Sequence, residues 1–123
     1  MSFATTARRG ALAERHADKG RMLAALRAEG LLPQGVSDDP AHTSVLTAEL
    51  MAALHLYLAR TPSWVVLANV EDVIGERAQT NVPGTVDQHP NWSRKLRCTI
   101  GQMVRDARFS SLAAQLRSVR PHV

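Results

Sequence analysis

Apolar residues recur at helical spacing through the first part of the chain. In residues 7–29, "ARRGALAERHADKGRMLAALRAE", Leu12, Met22, Leu23 and Leu26 supply part of an apolar stripe, and Gly30 stands where a helix would stop. Gly10 and Gly20 oppose this helix, each costing roughly 1 kcal/mol relative to Ala. The stretch "LLPQGVSDDPAH" that follows is rich in turn formers and reads as a linker. A second helix is predicted over "TSVLTAELMAALHLYLA", with Thr43 or Ser44 as N-cap. It ends before Thr61-Pro62, because a residue ahead of Pro is steered out of the α region. Its apolar residues, among them Val45, Leu46, Leu50, Met51, Leu54, Tyr57 and Leu58, cover nearly the whole circumference. Such a helix is buried on several sides.

After Pro62 the pattern changes. "SWVVLANV" is apolar almost without alternation and contains adjacent β-branched residues, which suits a strand buried on both faces. A lone strand leaves N–H and C=O groups in need of partners, and no second convincing strand follows. Either the segment is a misread helix or its partner strands lie in sequence outside this chain. "EDVIGE" reads as a single helical turn. The tail "TIGQMVRDARFSSLAAQLRSVR" reads as two short helices, the second carrying Phe109, Leu112, Leu116 and Val119 on one side. The expected class is therefore mostly α with a single buried strand, in a chain long enough for one domain with a core.

Composition narrows the functional classes. The formal net charge of +4 is almost entirely arginine, with Lys19 and Lys95 the two lysines. The arginines are scattered among acids and apolar residues instead of clustering on one stripe, so no nucleic-acid partner is expected. Cys98 is the single cysteine, which excludes an intrachain disulfide and points to a reducing, cytoplasmic compartment. No segment approaches eighteen consecutive apolar residues, so no membrane span is expected. His16, His42, His55, His89 and His122 show neither HxxxH nor HxxH spacing, and no GxGxxG or P-loop is present. Neither a metal nor a cofactor is therefore expected.

The segment 81–92, "NVPGTVDQHPNW", stands apart from this Ala-, Leu- and Arg-rich background. Pro83-Gly84 suits the centre of a type II turn, where Pro fixes φ and Gly accepts a positive one. Gly84 would let backbone N–H groups approach a ligand, and Asn81, Thr85, Asp87 and Asn91 are hydrogen-bonders of the kind sugar hydroxyls favour. Trp92 is expected in the core with its indole N–H satisfied, the alternative being to stack on a pyranose face. Glu71 and Asp72, at the C-terminal end of the apolar run, are placed where α/β barrels carry functional groups. The expected role is nevertheless to cap the short helix that follows, a favourable position for negative charge.

Taken together, "VVLANVEDVIGERAQTNVPGTVDQHPNWSRKL" resembles the C-terminal signature of the 4-α-glucanotransferases, the amylomaltase or disproportionating-enzyme family. The resemblance rests on Glu71, Asp72, Gly75, Asn81, Pro83, Gly84, Thr85, His89, Pro90, Asn91, Trp92, Arg94 and Leu96. It implies a (β/α)8 barrel enzyme, without metal or organic cofactor, that transfers α-1,4-glucan segments between malto-oligosaccharides with net retention. By this resemblance residues 1–61 are helices, 62–70 the last barrel strand, 71–96 a loop region at the substrate face and 97–123 terminal helices. Asn81, Gly84 and Thr85 would face glucan; Glu71, Asp72, Asn91 and Trp92 would support the loop.

The family's nucleophilic Asp, acid/base Glu and second Asp lie on earlier strands, and nothing in residues 1–43 matches its Thr-His-Asp motif. A complete barrel takes about 200 residues or more, so this chain is too short to close one. The expectation is a C-terminal fragment that is catalytically inert by itself, with no catalytic residue assigned. A decayed remnant and a free-standing helical module, the latter completing a split barrel in trans, are the alternatives.

Overall fold

In a computed structural model of the chain, which describes residues 3–120 and the side chains of residues 8–120, five helices account for all regular structure among the described residues. They divide between two compact units, Met1–Pro62 and Ser63–Val123. His122 lies outside the described residues.

The first unit holds α1 (Phe3–Ala28) and α2 (Ala48–Ala59). Among the described side chains of α1, the buried ones lie in its second half. Leu23 and Leu26 are almost completely enclosed, whereas Leu12 is exposed. They pack with Leu50 and Ala53 of α2, surrounded by Met22, Leu31, Leu32, Leu54 and Tyr57. Gly30, at a φ of 64°, ends α1. Its N–H donates to the Arg27 carbonyl at 3.0 Å and that of Leu31 to the Leu26 carbonyl at 2.8 Å. This paired closure requires a left-handed residue, a conformation glycine adopts without a Cβ penalty.

α2 starts later than the pattern predicts. Thr47, not Thr43 or Ser44, is the N-cap, its side chain accepting from the Leu50 N–H at 3.2 Å. Thr43 is already committed: its hydroxyl donates to the Ser37 carbonyl at 2.8 Å, and its carbonyl accepts from Lys19 Nζ. Val45 and Leu46 therefore lie outside the helix and exposed. His55 is buried, its Nδ1 within 2.9 Å of the Met51 carbonyl oxygen, a core histidine with its ring nitrogen satisfied.

The second unit contains α3 (Val70–Ile74), α4 (Ile100–Arg105) and α5 (Ala107–Val119). α3 packs on α5, and Val73, Ile74 and Leu112 are buried. Thr99 and Gln102 close the start of α4 in a reciprocal capping box. Asp106 ends α4 and caps α5, accepting from the Arg108 N–H at 2.9 Å.

The expected buried strand is not formed. No strand exists among the described residues, and Trp64, Val65 and Leu67 are 99%, 66% and 83% exposed. The physical reason lies in the neighbours. A strand buried on both faces needs flanking strands for its backbone and layers for its side chains, and this unit offers only helices and a loop. The coarser expectation, a mostly helical chain, stands.

Candidate functional site

The candidate site is built on the stretch between α3 and α4. Gly75, at a φ of 68°, ends α3 with the same paired closure as α1, through Gly75 N–H to Asp72 O at 3.2 Å and Glu76 N–H to Glu71 O at 2.8 Å. The chain then doubles back. The Glu76 carboxylate accepts from the N–H groups of Arg77 and Ala78 at 3.0 and 3.2 Å and pairs with Arg97 Nε at 2.8 Å. The Ala78 N–H, supported by the Arg97 charge, holds the Glu76 carboxyl below its ordinary range. Arg97 also donates to the Gly75 carbonyl at 3.1 Å, joining the loop's end to its beginning.

Within this frame, Val82 to Thr85 form a turn with the Thr85 N–H donating to the Val82 carbonyl at 3.2 Å and Gly84 at a φ of 81°. These are the features of a type II turn. Asn91 reaches across it. Its Oδ1 accepts from the Val82 N–H at 2.9 Å, and its Nδ2 donates to both the carbonyl and hydroxyl oxygens of Thr85 at 3.0 Å. The side-chain amide thus spends its one acceptor and both donor directions on backbone and side chain of a single turn. Pro90 centres a three-residue turn, with the Asn91 N–H on the His89 carbonyl at 2.8 Å, and His89 Nε2 lies 2.9 Å from the Gln79 carbonyl.

Trp92 adopts a φ of 59°, in the left-handed region that bulky residues rarely occupy and that costs of order 1–3 kcal/mol. Its N–H donates to the Thr80 carbonyl at 2.9 Å, while the Thr80 hydroxyl donates to Glu71 Oε1 at 3.3 Å. The core placement considered for Trp92 is incorrect: the residue is 75% exposed.

Two neighbouring cavities result. One, of about 360 Å³, is lined by Glu71, Asp72, Gln79, Asn81 and Trp92 among others. The other, of about 320 Å³, is lined by Glu71, Glu76, Thr80, Arg94, Lys95 and Arg97 among others. Four of the seven residues singled out from the sequence, Glu71, Asp72, Asn81 and Trp92, therefore meet at one cavity. Gly84, Thr85 and Asn91 do not line it; Gly84 is exposed, and Thr85 and Asn91 bond to one another. Glu71 and Asp72 occupy the first turn of α3, whose N-cap Asn69 makes no side-chain capping bond.

Thr80, Glu76 and Arg97 were missed by sequence reasoning. Thr80 carried one signal, its place just ahead of the Asn-Val-Pro-Gly-Thr run. The Glu76–Arg97 pair carried none, since oppositely charged residues twenty-one positions apart imply no contact. Among the described residues, no group of three or more His, Cys, Asp or Glu side chains could hold a metal ion, and no helix is long and apolar enough to cross a membrane. The larger cavity instead offers carboxylates, amides, the Arg77 guanidinium and an indole, groups that hydrogen-bond and stack.

Comparison with known proteins gives this arrangement its class. The family model described as 4-alpha-glucanotransferase, of glycoside hydrolase family 77, matches residues 4–100. The chain belongs to this family. It is 35% identical over 108 residues to 4-alpha-glucanotransferases of Mycobacterium tuberculosis and Mycobacterium bovis, covering 83% of this chain and 14% of theirs. A 4-alpha-glucanotransferase of Haemophilus influenzae is 29% identical over 83 residues, 68% of this chain and 12% of its own. The chain thus spans about one-seventh of the length of the curated relatives it matches. No solved structure gives a significant match.

Proposed function

We propose that this chain is the C-terminal portion of a 4-α-glucanotransferase of the cytoplasm, acting on malto-oligosaccharides. In the whole enzyme residues 62–70 form the last strand of the (β/α)8 barrel, and residues 71–96 lie at its substrate face. Asn81, Gly84 and Thr85 face the glucan, and Glu71, Asp72 and Asn91 hold that loop. The reaction is a retaining double displacement. A carboxylate from an earlier strand takes the glycosyl group, a carboxylic acid protonates the departing 4-oxygen, and the same group then deprotonates the acceptor 4-hydroxyl. The present chain supplies the binding loop, not those carboxylates, and is inactive alone.

The observation that carries this reading is the family match over residues 4–100, which includes the whole Asn81–Trp92 stretch. The solvent-facing run at Trp64, Val65 and Leu67 supports it, because an apolar β-branched segment left in water is what a barrel strand becomes without its neighbours.

The test compares the 123-residue chain with a protein in which the barrel strands are restored, in cis or in trans. With maltotriose, the chain alone should release neither glucose nor longer oligomers, and the restored protein should release both. Asn81→Ala in the restored protein should lower transfer more than thermal stability. Transfer by the chain alone, or equal loss of both properties in Asn81→Ala, would overturn the proposal.

A further inference from the structure

We propose that Trp92 is a stacking platform for a glucosyl unit, with Asn81, Gln79 and Asp72 positioned to take its hydroxyls. The inference rests on the glucan-binding reading of this loop and adds to it a residue and a subsite.

Four observations meet at this residue. Trp92 is 75% exposed, although an indole gains by leaving water. Its backbone is held at a φ of 59° by a hydrogen bond to Thr80, which is itself bonded to Glu71 on α3. The preceding residue, Asn91, is fastened by three hydrogen bonds, so the approach to Trp92 is fixed. Beside the indole lies a cavity of about 360 Å³ lined by Asp72, Gln79 and Asn81. That volume is at the small end of ligand pockets, roughly 300–1,000 Å³.

The combination selects a class of ligand. A flat apolar face next to amide and carboxylate groups matches a molecule with one C–H face and a rim of hydroxyls. A pyranose has that form. A purely apolar ligand would leave Asp72, Gln79 and Asn81 without partners, and a small anion would meet three carboxylates, Glu71, Asp72 and Glu76, against the single guanidinium of Arg77. The Thr80 hydrogen bond and the Asn91 clasp impose the positive φ at Trp92 and so keep its backbone from relaxing away from the cavity.

The chain has a second tryptophan, Trp64, so the test uses the Trp64→Phe chain, in which emission reports Trp92 alone. Titration with maltoheptaose should give a saturable emission change and reduced quenching by acrylamide. In calorimetry Trp92→Ala should bind maltoheptaose about tenfold more weakly, with Trp92→Phe recovering most of the loss. Trp92→Gly removes the indole while accommodating the positive φ, so its loss of binding would not be a folding defect. Emission that ignores maltoheptaose, or unchanged affinity in both Trp92→Ala and Trp92→Gly, overturns the platform. So does a Trp92 shielded from acrylamide in the barrel-restored protein without sugar, which would make it a packing residue. These outcomes separate from those for the enzyme itself. Transfer sensitive to Asn81→Ala with silent Trp92 removes only the platform, and a sugar response without transfer removes only the enzyme reading.

Discussion

Asn91 holds Thr85 by two hydrogen bonds of 3.0 Å, one to its carbonyl oxygen and one to its hydroxyl, across six residues of chain. With the bond from the Val82 N–H at 2.9 Å, one side chain fixes both ends of the Pro83-Gly84 turn. The turn's shape therefore depends on a residue outside it.

Replacing Asn91 separates the two halves of this clasp. Asn91→Ala leaves the half-buried Val82 N–H without its acceptor and should destabilise the second unit by about 1–3 kcal/mol. Asn91→Asp retains the acceptor for Val82 but sets a carboxylate oxygen against the Thr85 carbonyl oxygen, so it should be no more stable than Asn91→Ala. Urea midpoints of the three chains check the order. Equal midpoints would mean the turn holds itself.

Two glycines, Gly10 within α1 and Gly30 just past its end, should respond to alanine with opposite signs. Gly10 lies in the helix with open space where a Cβ would go, so Gly10→Ala should stabilise by about 0.5–1 kcal/mol. Gly30 has equally open space but a φ of 64°, so Gly30→Ala should cost about 1–2 kcal/mol through conformation alone. Thermal melts followed by helical circular dichroism distinguish them. The same sign for both would refute the conformational argument.

Acid should weaken the second unit through two carboxylates. Bidentate pairing with Arg108, together with the Arg108 N–H, draws Asp106 down to about 2, and the Ala78 N–H and Arg97 lower Glu76. A depressed folded value contributes stability that is present above the ordinary carboxylate range, about 4, and is lost as pH falls through the folded value. Urea midpoints should therefore decline between about pH 4 and pH 2. Asp106→Asn should lower the neutral-pH midpoint and flatten this decline; a decline of unchanged steepness would assign it to other groups.

The exposed Trp64, Val65 and Leu67 should drive self-association. Leu67 is 83% exposed beside Val65 at 66%, in a β-branched segment with no charge. Leu67→Lys should reduce light scattering of concentrated chain while leaving helical circular dichroism unchanged. Scattering that persists unchanged would place the sticky surface elsewhere.

Much of the local structure was legible because its causes are local. Helix α1 follows from Ala, Leu and Arg propensity, and its stop from the glycine that accepts a left-handed φ. The turn at Pro83-Gly84 is legible for the same reason, since its two central residues carry the required backbone angles themselves. Where two local solutions were nearly equal, the sequence did not decide. Thr43, Ser44 and Thr47 can each cap a helix; Thr47 does so because Thr43 is held by Ser37 and Lys19.

Composition and pattern by themselves determined a mostly helical chain and a distinct loop at 81–92, and the resemblance carried by residues 65–96 pointed to the family to which the chain belongs. The tertiary structure alone decided which side chains meet. It joined Glu76 to Arg97, brought Trp92 out beside Glu71, Asp72 and Asn81, and left Trp64 and Leu67 in solvent. The difference is physical. Propensity and turn chemistry act within a few residues of backbone, whereas burial and long-range pairing depend on what surrounds a segment, and an apolar run states a need for neighbours without supplying them.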